Sequence, residues 1–106
     1  MKMIIADVLF DGPHKSVKNL EKSPGVFAII SENQGTYYLL DIDQADDVKQ
    51  AIPDHERREC WQNHRQGVIR YAVLYTREMP AEDREEIERK IRDRYKNVPC
   101  GGRENP

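Results

Sequence analysis

Three groups of side chains have the types and spacings that chemistry needs. Asp41, Asp43, Asp46 and Asp47 cluster as calcium ligands do. A helix–loop–helix calcium site needs glycine at its sixth position and glutamate at its twelfth. Counted from Asp41, those positions hold Asp46 and Ile52. The four acids therefore read as a helix cap and a solvated acidic turn. His55, Cys60, His64 and Cys100 are zinc-ligand types. On a helix Cys60 and His64 share a face, while His55 and His64 point oppositely, and no CxxC or HxxxH pair is present. That group reads as Cys60 and Trp61 packing inward, with His64 at a helix end where the dipole favours it. The third group is Tyr37 and Tyr38, the arginines of segment 57–70, and the glutamates near residue 88. A phosphodiester-cleaving site can be built from such parts: a carboxylate for a divalent metal, a phenol or water as base, a cation for developing charge. Tyrosines on a hairpin also serve as plain cross-strand packing. No Gly-rich phosphate loop or GxSxG elbow accompanies them.

The elements that must position these groups follow from apolar runs and breakers. Met3 to Phe10 reads as one strand interrupted by Asp7, ended by the turn signal Asp11-Gly12-Pro13. Ser16 to Lys22 reads as a short helix with Val17 and Leu20 inward. Val26–Ser31 and Thr36–Ile42 read as a hairpin, with Tyr38, Leu40 and Ile42 on one face and Tyr37, Leu39 and Asp41 on the other. Asp43 caps a helix to Ile52, stopped by Pro53, and Asp54 caps a second to about His64. Val68–Thr76 is apolar on both faces and belongs in the middle of a sheet. Pro80 opens the longest helix, whose Ile87, Ile91 and Tyr95 form a buried stripe. From Val98 onward the chain reads as a frayed tail. The expected fold class is α+β, a small mixed sheet of hairpin plus central strand covered by helices.

Composition bounds the rest. The chain has 106 residues, 34% of them charged, with a net charge of -2, a mean hydropathy of -0.85 and a pI near 5.9. One domain fits that length. The acidic balance excludes a polybasic nucleic-acid binder, whose affinity rests on many phosphate contacts. No apolar stretch approaches a membrane span, so no membrane partner is expected, and Asp7 falls too early for a signal-peptide core. Two cysteines fit a reducing cytoplasm better than a disulfide scaffold. Residues 1–53 contain five lysines and no arginine, so any functional guanidinium must come from the second half.

Several segments together resemble the GIY-YIG nuclease superfamily. Pro24-Gly25-Val26-Phe27-Ala28-Ile29-Ile30, then Tyr37-Tyr38-Leu39-Leu40, is similar to its two-strand signature. Asp47-Val48-Lys49-Gln50-Ala51-Ile52 resembles its first-helix pattern, and Cys60-Trp61-Gln62-Asn63-His64 with Gly67 resembles a segment of small stand-alone members. Arg84, Glu88 and Ile91 match the spacing of its last helix, and Pro99-Cys100 its ending. The resemblance spans about residues 20–101, with 1–19 as an N-terminal strand and turn extension and 102–106 as a tail.

The resemblance implies a one-metal phosphodiester hydrolase fold with most of its chemistry removed. Glu88 stands at the metal-binding position and Tyr38 at the second tyrosine. Phe27 replaces the first tyrosine and has no hydroxyl. Ala51 replaces the arginine, Gly101 the terminal asparagine, and Leu40 the glycine after the second tyrosine. One charge-stabilising group is often worth about 10²–10³ in rate, so the expectation is a cytoplasmic binding or interaction module without appreciable nuclease activity. Two alternatives stand beside it. One is an active magnesium- or manganese-dependent endonuclease using Tyr38, Glu88 and Arg57 or Arg58; the other is an unrelated small α+β interaction protein. Nucleic acid is a weaker expected partner, through Arg57, Arg58, Arg65 and Arg70, and a protein partner stands beside it.

Overall fold

The computed structural model describes residues 1–101; the tail expected at 102–106 lies outside the described residues. Five strands form one sheet in the order β1-β2-β5-β3-β4, with β1 Lys2–Ile5, β2 Val8–His14, β3 Gly25–Asn33, β4 Thr36–Ala45 and β5 Val68–Tyr75. Every pairing is antiparallel, so the expectation of a mixed sheet is corrected. β2 and β3 are joined across β5, and β4 and β5 by α1 and α2 across β3, so the strands that run parallel are never adjacent. Helices α1 Val48–Ala51 and α2 Arg58–His64 cover one face, and α3 Ala81–Arg94 lies across the other.

β5 holds the centre of the order, as its two-faced apolar pattern predicts. Val73 packs with Phe27, Ile29, Leu20, Val48, Ile52 and Trp61 on the α1/α2 face. Ala72 packs with Val26, Ala28, Ile42, Phe10 and Ile91 on the α3 face. Phe27 is 1% exposed and Trp61 3%, as large rings gain most by leaving water. Gly67 leads into β5 at φ +98, where an added Cβ would stand 2.1 Å from the Glu32 carbonyl oxygen. Only glycine fits that approach.

Several boundaries depart from the sequence reading. Met3–Phe10 is not one strand: Ala6 and Asp7, at φ 52 and 66, turn the chain between β1 and β2. Asp11-Gly12-Pro13 is not a turn either but lies inside β2, where the register to β5 shifts between Asp11 and His14. The expected helix at 16–22 is a single 3₁₀ turn, Val17–Asn19. β4 continues to Ala45, so Asp47, not Asp43, caps α1 by accepting from the Gln50 N–H. α2 starts at Arg58 rather than at Asp54. Tyr95 leaves the buried stripe of α3 at 38% exposure, while Arg84 and Arg92 are buried on that helix instead.

One irregularity decides where the polar groups go. In the β3–β4 ladder Ile30 pairs with Leu39 and Ile29 with Asp41, which leaves Leu40 as an extra residue. A bulge of this kind interrupts the alternation of side chains. Leu40 therefore enters the α1/α2 core and Ile42 the α3 core, correcting the expectation that they share a face. Asp41 is carried inward, against Trp61 and Arg57 of the α2 region.

Candidate functional site

Asp41 is fully buried and ionisable, and that combination requires partners. It has five. Its own carboxylate accepts from the Ile42 N–H at 2.8 Å and from Trp61 Nε1 at 2.7 Å. Arg57 donates from Nε at 2.8 Å and from Nη2 at 3.2 Å, and Arg92 from Nη2 at 2.7 Å. Arg57 also reaches Asp43 at 3.1 Å, where His55 Nε2 sits 2.8 Å away. Arg92 continues to Glu88 at 3.1 Å and to the Cys100 carbonyl at 3.3 Å. Three carboxylates, two guanidinium groups and one imidazole thus form a continuous network over the middle of β4, where the approaches of α2 and α3 meet.

Neighbours shift the titration of this network in opposite directions. Burial works to raise the Asp43 pKa, but hydrogen bonds from His55 and the Gln44 N–H, with the charge of Arg57, outweigh it and leave it lowered. Glu88 is raised, chiefly by burial and further by Asp43, with the Arg92 hydrogen bond pulling the other way. Burial also opposes the charge on Arg57, yet Asp41 more than compensates and its pKa rises. Each cause is one of the ordinary ones: desolvation, nearby charge, hydrogen bonding to the charged form.

The residues singled out from sequence divide between this network and a separate groove. Glu88 belongs to the network. Phe27 lies beside it, edge-on to the His55 ring at 5.8 Å between centroids. Gly101 abuts it: a Cβ there would meet Arg92 Nη2 at 2.6 Å and Arg57 at 2.7 Å. Ala51 packs against the same core as Phe27. Tyr38 does not join them. It pairs with Ser31, five residues along β4 from Asp43, a separation of roughly 16 Å at strand rise. Of the four arginines expected at a nucleic-acid surface, Arg57 holds Asp41 and Asp43, Arg70 holds Glu32 at 3.1 Å, and Arg65 binds the Gly67 carbonyl at 2.8 Å. Arg58 is exposed at the start of α2.

The groove that contains Tyr38 has a volume of about 670 Å³. It runs between β1 and the outer half of β4 and is bounded by residues 94–99, which follow α3. Tyr37, Tyr38 and Tyr95 are all more than a third exposed there, as is Ile4. Arg94 and Lys96 also line it, beside the His64 ring, and among the described residues no carboxylate does. A surface of aromatic faces and cations, on a chain of net charge -2, suits a ligand that combines flat or apolar groups with negative charge. Sequence reasoning found Tyr37 and Tyr38 but missed Tyr95, which it assigned to the core, and it missed Arg92 as the network's second cation. An arginine one turn after Glu88 was the available signal.

Cys60 and Cys100 form a disulfide across 40 residues, which decides whether the two cysteines meet, a point the sequence left open. It also corrects the frayed tail: Cys100 is buried, and its N–H donates to the Leu40 carbonyl at 3.0 Å. Among the described residues no helix is long and apolar enough to cross a membrane. No protein-family model, curated protein or solved structure matches the chain.

Proposed function

We propose that this protein is a non-catalytic binding module, a GIY-YIG-like domain whose former reaction centre has been filled and whose ligand surface is the tyrosine-lined groove. The observation that carries the reading is the pairing of Glu88. A metal-binding carboxylate needs free oxygen lone pairs facing an open site. Glu88 is instead held by Arg92, which Gly101 abuts, with Arg57 close behind. Its raised pKa means the site disfavours the ionised form that a metal needs. The phenol that would assist, Tyr38, lies at the other end of the strand.

The groove favours single-stranded nucleic acid, because bases stack on tyrosine faces while cations meet the backbone. Fluorescence anisotropy with labelled single-stranded oligonucleotides at low salt tests this. Tyr38→Ala is expected to weaken binding by about 5- to 150-fold, the worth of one stacked base at roughly 1–3 kcal/mol. An unchanged affinity in Tyr38→Ala, or no binding by the parent protein, rejects the groove. Incubation of duplex DNA with magnesium is expected to give no cleavage. Cleavage that disappears in Glu88→Ala would restore the endonuclease reading.

A further inference from the structure

We propose that Cys60, His64 and Cys100 form a metal site in the reduced protein, two thiolates and one imidazole holding a zinc-class divalent ion with its fourth position open. The Sγ atoms of the two cysteines and a ring nitrogen of His64 all lie within 4.8 Å of one another. Cys60 and His64 stand one turn apart on α2 and so project from one face of it. Cys100 arrives from the far side of the sheet, on the segment that crosses the edge of β4.

The disulfide is not the only tie on Cys100. The Cys100 N–H is held by the Leu40 carbonyl at 3.0 Å, and its carbonyl by Arg92 Nη1 at 3.3 Å. Neither bond involves a sulfur atom. Zinc–sulfur and zinc–nitrogen bonds of about 2.3 and 2.05 Å at the tetrahedral angle put the two donor atoms about 3.6 Å apart. Cys60 Sγ and His64 Nδ1 are 3.6 Å apart. The sulfurs must open to about 3.8 Å on the same geometry, a side-chain rotation for cysteines whose Cα atoms are 6.0 Å apart.

The chemistry balances with a small-molecule thiol as reductant. Two equivalents attack in succession, breaking the Cys60–Cys100 bond through a mixed disulfide. The protein sulfurs gain two electrons and two protons, and the small thiol leaves as its own disulfide. The metal then displaces one proton from each cysteine and requires His64 to be neutral. Nδ1 gives up its 3.0 Å contact with the Cys60 carbonyl in exchange for the metal bond. His64 is exposed and lines the groove, so the open coordination position faces solvent there. Three protein ligands and one open position is the pattern of a zinc site that can take an exogenous ligand, rather than a closed structural one. This site stands apart from the oligonucleotide reading of the groove.

The test is zinc titration of the full chain against a chromophoric chelator, oxidised and after phosphine reduction. The oxidised protein should take no zinc and the reduced protein one equivalent. Reduced His64→Ala should bind on the order of 100-fold more weakly, since even a partner of a ligand is worth about 10–100-fold. Cobalt(II) should give the reduced protein a thiolate charge-transfer band and visible bands of tetrahedral intensity. Reduced wild type binding zinc no tighter than reduced Cys100→Ser overturns the site. So does unchanged affinity in His64→Ala, or a weak octahedral cobalt spectrum. Should Cys100→Ser fail to fold by circular dichroism, the exposed His64→Ala decides the matter.

Discussion

Replacing Asp41 by asparagine removes one charge from the interior and changes almost no volume, so no cavity contributes to the result. Two arginines and an indole lose their shared acceptor. Arg92, whose side chain is 6% exposed, keeps only Glu88 among its carboxylate partners, and Arg57 keeps Asp43. The amide NH₂ that replaces one oxygen must also face donors on whichever side it lies, Arg57 Nε and Trp61 Nε1 or Arg92 Nη2. Removing one partner of a buried ion pair costs about 3–5 kcal/mol. The retained carboxylates place Asp41→Asn near 3, against a total of roughly 5–15 for a domain of this size. Urea unfolding followed by Trp61 fluorescence should show the unfolding free energy falling by that amount, read as a lower midpoint with an unchanged slope. The exposed Arg77–Glu21 pair serves as the control, where Arg77→Ala should cost at most about 1 kcal/mol. If Asp41→Asn costs no more than the control, Asp41 is not the hub of a desolvated network and the argument fails.

The two flanking carboxylates should respond oppositely to pH. Asp43 has a folded pKa below its ordinary 3.8, so its contribution is complete above that value and is lost as pH falls through the folded pKa. The gap in unfolding free energy between wild type and Asp43→Asn should therefore close in acid. Glu88 has a folded pKa above 4.5, so its contribution is complete below that value and is lost as pH rises through the folded pKa. Glu88→Gln should accordingly gain on wild type from about pH 4 towards neutrality, and a falling curve in the same denaturant series would reverse the assignment. Gly67→Ala meets a backbone oxygen and a left-handed φ together; it should cost roughly 1–3 kcal/mol by thermal unfolding, and a neutral effect would mean the β5 entry is soft. Reduction frees a loop closed across 40 residues, which the chain-entropy relation values at about 4 kcal/mol. Unfolding midpoints with and without reductant, metal excluded, should differ accordingly, and coincident curves would contradict the estimate.

The β3–β4 hairpin, the central strand β5 and the start of α3 near Pro80 were readable because each rests on local chemistry: a turn, a two-faced apolar run, a fixed φ. The β1–β2 hairpin was not readable, because Ala6-Asp7 carries none of the Asn-Gly or Gly-Gly signals of a tight turn, while the misleading Gly12-Pro13 pair sits within a strand. Asp41 looked like an ordinary polar alternate of β4. Its burial depends on a single extra residue, Leu40, and strict period-two counting passes over a bulge. Trp61 was assigned correctly as packing inward, since a large ring on a covering helix has few other options. Arg57 was read as a group facing a ligand. Its partners Asp41 and Asp43 lie 16 and 14 positions earlier, and no local rule pairs residues at that distance.

The chain following α3 has a consequence for how copies of this protein meet. A five-stranded sheet has two outer strands, and the unpaired amides and carbonyls of an outer strand are templates for another chain. On β4 the Cys100 N–H occupies the Leu40 carbonyl, and the covalent tie to α2 pins that cover in place. Removing residues 95 onward would bare the strand at its paired leucines, Leu39 and Leu40. A chain shortened in that way should associate through β4, with size-exclusion elution moving towards larger species as concentration rises.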